Sequence, residues 1–162
     1  MRTIPILASL LLAGCQQYDV TVNERVVYSP RPLLTEIQAE DPGLRGCLED
    51  AIERLRIGSP AALEELDCSG AGIKSLQGIG QFAGLRHLNL SHNEIRELDE
   101  LVMLEELQTL ALEDNRLENP EPLYRLRQLA VLELRDNPAL RCPQPERLAG
   151  LQRLSLPRHC RT

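Results

Sequence analysis

The sequence predicts an α/β solenoid, in which a short unit is stacked several times so that parallel β-strands line the concave face and 3₁₀ or irregular turns form the convex side. Leucine supplies 32 of the 162 residues, whereas aromatic residues make up only 2%. So uneven a choice of apolar side chains indicates one small unit repeated. The leucines recur at a fixed interval of 22 residues, and an amphipathic stretch before the first unit predicts a helical cap.

Each repeated unit begins with an apolar residue and carries two more at its fourth and sixth positions. The successive units begin at Leu63, Leu85, Leu107, Leu129 and Leu151, with no insertion or deletion between them. A spacing of two residues places the fourth and sixth side chains on the same face of a short strand. Stacked units would lay these strands side by side in a parallel sheet, about 4.8 Å apart. Four full units and a partial one are enough to bury a shared core.

The later columns of the repeat are expected to complete the core from the convex side. In the fourth unit these columns hold Ala139, Cys142, Pro145 and Leu148. The ninth position of a unit is asparagine three times, at Asn93, Asn115 and Asn137. An amide at an inward turn can satisfy backbone groups of its own and the neighbouring unit, so these asparagines are predicted to be scaffold rather than binding residues.

A capping helix is predicted directly before the first unit. Asp41 is a favourable N-cap and Pro42 a favourable first residue, while Gly58, Ser59 and Pro60 end the helix. The apolar face has helical spacing and comprises Leu44, Cys47, Leu48, Ala51, Ile52 and Leu55. We expect that face to cover the open apolar end of the first unit.

The repeat resembles the leucine-rich repeat, L-x-x-L-x-L-x-x-N-x-L, and is similar to the 22-residue class of internalin-like bacterial proteins. The resemblance covers about residues 41–160. It implies a short leucine-rich-repeat array with an N-terminal helical cap, and it implies a module that binds another protein.

The amino terminus predicts export and lipid attachment. A positive start at Arg2 and an apolar run from Ile4 to Leu12 are typical of a secretory signal peptide, and the run is too short to span a bilayer. The stretch Leu12-Ala13-Gly14-Cys15 resembles the bacterial lipobox, which implies that Cys15 becomes the first mature residue and carries diacylglyceryl and N-acyl groups. Gln16 after the cysteine implies the outer membrane. The alternative is a buried helix start with a coincidental cysteine.

These patterns together predict four segments. They are a lipoprotein signal peptide at 1–14, a lipidated N-terminus and tether at 15–40, the helical cap at 41–62 and the repeats with a C-terminal cap at 63–162. Within the tether, residues 19–28 are rich in valine and could form a short strand.

Five cysteines are present, and lipidation of Cys15 would leave four. Export implies an oxidising compartment in which disulfides persist. Cys47 lies on the cap helix and Cys68 in the unit it covers, whereas Cys142 and Cys160 lie in the last two units. The two ends would be about 15–20 Å apart, too far for a disulfide or a shared zinc ion. We therefore predict the pairs Cys47–Cys68 and Cys142–Cys160, with free buried cysteines as the alternative.

The outward-facing residues of the strands form the candidate surface for a partner. They are Glu65, Asp67, His87, Asn89, Thr109, Glu113, Glu133, Arg135 and Arg153, with Ser69, Ser91, Ala111, Val131, Ser155 and Pro157 expected outward beside them. This surface is polar, mixed in charge and free of aromatic residues, so only its two arginines resemble interface anchors. Its projected area of about 400 Å² is half of what a standard interface uses per partner. A merely solvated surface is the alternative.

Nothing in the sequence indicates catalysis, a cofactor, a metal or a small-molecule substrate. The only histidines are His87, His92 and His159, and no carboxylate or cysteine gives them a recognised metal spacing. Ser91 beside His92 is a sequence neighbour rather than a catalytic triad. The net charge of −6 argues against a nucleic-acid partner.

The sequence thus predicts a lipid-anchored protein of the outer membrane that binds an unknown envelope protein. A structural, self-associating lipoprotein without a specific ligand and a surface-exposed adhesin are the alternatives. Residues 16–121 carry a net charge of −12 and residues 122–162 a net charge of +5. This polarity could steer a partner or a second copy, or could be an inert surface.

Replacing Cys15 tests the lipid anchor. Because more than one buried acyl chain is needed for stable anchoring, Cys15→Ser is expected to leave the protein unprocessed at the signal and to remove the lipid-dependent membrane association of the mature chain. Membrane fractionation and intact-protein mass measure both effects. Normal processing of a variant that stays on the membrane would contradict lipid attachment.

Overall fold

The computed structural model describes residues 20–22, 25–28, 34, 36–148 and 150–161. The chain divides into two compact units, residues 1–32 and 33–162. The predicted signal peptide and Cys15 lie outside the described residues. Within the described residues, no helix is both long enough and apolar enough to cross a membrane.

The first unit contains a β-hairpin. Strand β1 (Val20–Val22) pairs antiparallel with β2 (Arg25–Tyr28), in the valine-rich stretch where a short strand was expected. The β-branched side chains of this stretch favour extended backbone.

The second unit is a solenoid with one helix and a five-stranded parallel sheet. Helix α1 (Pro42–Leu55) precedes strands β3 (Glu65–Asp67), β4 (His87–Asn89), β5 (Thr109–Ala111), β6 (Val131–Glu133) and β7 (Arg153–Ser155), which pair in chain order. A short 3₁₀ helix at Pro60–Ala62 lies between α1 and β3, and others at Ile79–Gln81, Asp99–Met103, Glu121–Arg125, Pro145–Leu148 and Arg158–Cys160 connect the strands or follow the last one. The predicted solenoid fold, with parallel strands and a helix at its N-terminal end, is confirmed.

The sheet register follows the 22-residue period without a shift. Leu66, Leu88, Leu110, Leu132 and Leu154 lie side by side across the five strands. The first four are buried, and Leu154 on the edge strand β7 is only partly buried. Because side chains alternate along a strand, this inward column leaves the residues on either side of each leucine facing out of the concave surface.

Three buried asparagines bind the backbone of adjacent units together. The Asn115 Oδ1 atom accepts from the Ile95 N–H at 3.0 Å, and its Nδ2 donates to the carbonyls of Leu90 at 2.9 Å and Leu112 at 3.2 Å. Asn93 and Asn137 make the equivalent bonds one unit earlier and one unit later. Each amide therefore satisfies backbone groups of two units, as predicted for scaffold residues.

The fourth repeat departs from the predicted columns. Ala139, Cys142 and Pro145 are exposed, and Leu140 and Pro143 are buried instead. In the two preceding units the tenth residue donates its N–H to the unit before, as Arg116 does to the Ile95 carbonyl at 3.0 Å. In the fourth unit the tenth residue is Pro138, which has no N–H to donate. The fifth unit has His159 at the position of the ladder asparagines, so no asparagine there can accept from the backbone N–H of Ala139. The chain is therefore free to turn inward one residue late.

Asp41 fixes the cap helix to the first repeat. Its Oδ1 accepts from the backbone N–H groups of Gly43 and Leu44 at 2.9 and 3.0 Å, and its Oδ2 accepts from those of Lys74 and Ser75 at 3.0 and 3.2 Å. Burial raises the pKa of Asp41, but these four donors outweigh it and hold the pKa below its ordinary value. The first repeat has Ala71 where later units have asparagine, so this carboxylate supplies backbone contacts from outside the array.

Helix α1 ends earlier than predicted. Arg56 adopts the left-handed conformation with φ 57°, and the Ile57 N–H donates to the Ile52 carbonyl at 3.0 Å, which closes the helix. The expectation that Leu55 lies on the buried face was wrong, because its side chain is 48% exposed. Ile52 is the last buried residue of the helix, and the next buried side chain is that of Ile57, beyond the turn.

Both predicted disulfides are present. Cys47 of α1 bonds to Cys68, which follows β3, with a Cα–Cα distance of 5.7 Å. Cys142 bonds to Cys160 with a Cα–Cα distance of 5.3 Å. The first bond joins the cap helix to the first repeat, and the second joins the last two units.

Removing one amide of the ladder is expected to destabilise the array. Asn115→Ala leaves the buried Ile95 N–H and two buried carbonyls without these hydrogen bonds, so the free energy of unfolding should fall by about 2 kcal/mol or more. Gln128→Ala, at an exposed position, is the control and should change it by less than about 0.5 kcal/mol. Denaturant unfolding measures both, and equal effects would contradict a structural role for the ladder.

Asp41→Asn tests the charged cap through its pH dependence. The amide keeps one acceptor oxygen but turns its NH₂ toward donors, so the variant should lose about 1 kcal/mol of stability at neutral pH. Because the folded pKa of Asp41 is depressed, the wild-type advantage is fully present above the unfolded pKa of about 4 and disappears as the pH falls through the folded pKa. Thermal unfolding between neutral and acidic pH measures this difference. Asp50→Asn, on the exposed side of α1, is the control, and a pH-independent difference for Asp41→Asn would contradict the assignment.

Candidate functional site

The concave face presents two rows of outward side chains that the strand register aligns. One row is Glu65, His87, Thr109, Val131 and Arg153, and the other is Asp67, Asn89, Ala111, Glu133 and Ser155. All of these residues are exposed or partly exposed. The sheet therefore brings the predicted strand residues together on one surface.

A third row, just after the strands, departs in part from its expected orientation. Ser91 is only 7% exposed and Pro157 is buried, so the expectation that both face outward was wrong. Here the chain turns inward toward the asparagine ladder. Glu113 and Arg135 of this row form an ion pair at 3.0 Å. Arg135 is therefore already engaged within the protein, which makes it a poorer anchor for a partner than its sequence position indicated.

The end of the cap helix turns one half of this face into a depression. Arg54 and Leu55 of α1 stand beside β3, and together with β3, β4 and β5 they border an open depression of about 420 Å³. The small side chains of Thr109 and Ala111 belong to its lining. Sequence reasoning expected Ala111 on the concave face but missed Arg54 and Leu55, since helical spacing assigned Arg54 to the solvent side of the cap helix and Leu55 to the core.

The rim of the depression is acidic. Hydrogen bonds from the backbone and side chain of Ser69 lower the pKa of Asp67 most, with smaller contributions from Asn89 and the charge of Arg54, and burial opposes them. Asp67 therefore stays ionised at neutral pH. Glu65, one strand position earlier, is exposed and forms no ion pair among the described residues.

The histidines lie in separate environments. The His92 Nδ1 atom is 3.0 Å from the Asp114 Oδ2 atom, and both side chains are about two-thirds exposed. His87 lines the depression, and His159 contacts the Leu140 carbonyl through Nε2 at 2.8 Å. In the described part of the chain, no serine or cysteine side chain hydrogen-bonds to a histidine ring.

One group of potential metal ligands occurs among the described residues. The ligand atoms of Cys142, His159 and Cys160 lie within 4.8 Å of one another. The two sulfur atoms are bonded to each other, so neither is available as a thiolate.

A second depression lies away from the concave face and differs from the first in charge. It encloses about 600 Å³ beside the 3₁₀ helix Asp99–Met103, and its lining includes Met103, Tyr124, Arg125 and Arg127. Met103 is 59% exposed. This surface combines an exposed apolar side chain with arginines, the opposite charge to the concave depression.

Comparison with known proteins identifies the repeat and its fold. The family model described as Leucine Rich Repeat matches residues 84–103, and no curated protein matches the chain. An internalin (InlF) from Listeria monocytogenes superposes with a TM-score of 0.58 at 22% identity, covering 68% of this chain and 33% of its own.

Two further solved structures are similar to parts of the chain. Internalin C2 from Listeria monocytogenes gives a TM-score of 0.47 at 25% identity over 52% of this chain and 37% of its own. A leucine-rich-repeat protein from Leptospira interrogans gives 0.45 at 28% identity over 67% and 33%. The chain spans about a third of the length of each of these structures. The parallel sheet, the asparagine ladder and the InlF superposition together show a leucine-rich-repeat fold with an N-terminal helical cap.

Proposed function

We propose that this chain is a lipid-anchored envelope protein that binds another protein through the concave face of its repeats. Leucine-rich-repeat proteins generally serve as protein-interaction modules rather than enzymes. The observation that carries the proposal is the depression beside Leu55, where an exposed leucine stands over outward-facing residues of three strands. Binding sites are typically concave and combine apolar surface with a few polar groups, as this depression does.

The size of the face predicts modest affinity in solution. Five strands at about 4.8 Å spacing give a sheet about 24 Å wide, and its outward rows alone offer less than the roughly 800 Å² per partner of a standard interface. Helix α1 extends the face by adding Arg54 and Leu55. A membrane anchor would raise the effective concentration of a partner in the same membrane and so compensate for weak contacts.

The anchoring part of the proposal rests on residues 1–15. The lipobox-like stretch that ends at Cys15 supports lipidation, and Gln16 supports the outer membrane as the destination. Two predicted disulfides of the repeat unit fit an oxidising compartment.

A bulky charge in the middle of the concave face tests the binding surface. Thr109→Arg places a guanidinium over the partly exposed centre of the sheet, so crosslinking and affinity capture from intact cells should recover at least about tenfold less partner than with the wild-type chain. Gln128→Arg adds the same charge at an exposed position of the other depression and should leave capture unchanged. Circular dichroism and the melting temperature verify that both variants fold.

Two outcomes would contradict the proposal. Equal capture by the wild-type and Thr109→Arg chains would show that the concave face is not the binding surface. Recovery of further copies of this chain alone would favour a self-associating structural lipoprotein. Protease digestion of whole cells separates a surface-exposed adhesin from a periplasm-facing protein.

A further inference from the structure

We propose that the depression beside Leu55 recognises a peptide segment in which an aliphatic side chain is next to a lysine or arginine. This inference rests on the proposed function and names the chemistry of its partner. The structure assigns the aliphatic side chain to the space over the outward residues of β4, with Leu55 on one side and the small residues Thr109 and Ala111 on the other, and the cation to the carboxylates of Glu65 and Asp67. We call these five residues the acidic notch.

The apolar part of the notch is Leu55, whose side chain does not pack into the core. Leu55 is 48% exposed, whereas the other leucines of α1 are fully buried. Leu55 is the last residue of the helix. On the far side of the depression, β5 contributes only the small side chains of Thr109 and Ala111 to the lining. An incoming aliphatic side chain would cover this exposed leucine and fill the space that the small residues leave.

The charged part of the notch is a pair of carboxylates on one strand. Glu65 and Asp67 are two residues apart on β3, so both project from the concave surface. Arg54 contributes a cation near Asp67, but Glu65 has no ion-pair partner among the described residues. The rim therefore carries one more negative than positive charge, and a lysine or arginine complements it.

The other half of the concave face lacks this combination. Arg135 is paired with Glu113 at 3.0 Å, so its charge is compensated within the protein. The strand β6 places Val131 and Glu133 where β5 has Thr109 and Ala111, and the depression does not extend over it. Charge and shape thus confine the proposed recognition to β3, β4, β5 and the end of α1.

Short synthetic peptides test this chemistry on the full purified chain in detergent. The probes are fluorescent peptides of about nine residues, long enough to cross the sheet in extended form. One alternates leucine and lysine, a second alternates leucine and glutamate, and a third alternates glycine and lysine. Fluorescence anisotropy should show that the leucine–lysine peptide binds at least about tenfold more tightly than either of the others, with affinity falling as salt is raised.

Matched substitutions locate the binding. Leu55→Ala should weaken binding of the leucine–lysine peptide by at least about fivefold, whereas Met103→Ala, which removes an even more exposed apolar side chain elsewhere, should not change it. Glu65→Lys should reverse the preference toward the leucine–glutamate peptide. Glu105→Lys makes the same charge change at an exposed position off the concave face and should preserve the original preference.

The outcomes separate this inference from the proposed function. Equal binding of the three peptides, or equal effects of Leu55→Ala and Met103→Ala, would overturn the acidic notch as the recognition site. If capture from cells still depended on Thr109, the concave face would remain a binding surface for a partner of different chemistry. If the peptide preference held but the protein captured only its own copies, the notch would stand and the partner would be a second copy of this chain.

Discussion

The structure depends on the hydrogen bonding between successive 22-residue units. Each strand pairs with the next in the same register, and the amides of Asn93, Asn115 and Asn137 satisfy buried backbone groups on both sides of each turn. Units of equal length preserve this register, and a strand that slipped by one residue would turn its inward leucine to the outer face. It also requires narrow side chains in the columns, which accounts for the many leucines and the scarcity of aromatic residues.

A stack of this kind has two ends that its own repeats cannot cover, and this chain closes them by different means. At the N-terminal end, α1 buries its leucines on the first unit, while Asp41 and the Cys47–Cys68 bond hold it in place. At the C-terminal end, no helix of that length follows among the described residues, and β7 packs less completely. The Cys142–Cys160 bond restrains that end covalently where burial is smaller.

The same closure of the N-terminal end shapes the candidate site. Because α1 must lie against the first unit to bury its apolar stripe, its last turn projects beside β3 and brings Arg54 and Leu55 to the concave face. The repeats supply the outward rows that include Glu65 and Asp67, and the end of the helix forms the wall that makes this part of the sheet a depression. Binding capacity thus arises where the cap and the array meet.

The sequence by itself determined the period, the strand register, the inward columns of the first three units and the cap helix, and it predicted both cysteine pairs, because each of these follows from spacing along the chain. The tertiary structure decided what spacing does not encode. It exposed Leu55, since the buried face of the helix ends at Ile52, one turn before the apolar pattern does. It also buried Leu140 rather than Ala139, since Pro138 lacks the N–H donor that fixes the turn in the preceding units. It also engaged Arg135 with Glu113, a contact between neighbouring units that is visible only once the units are stacked.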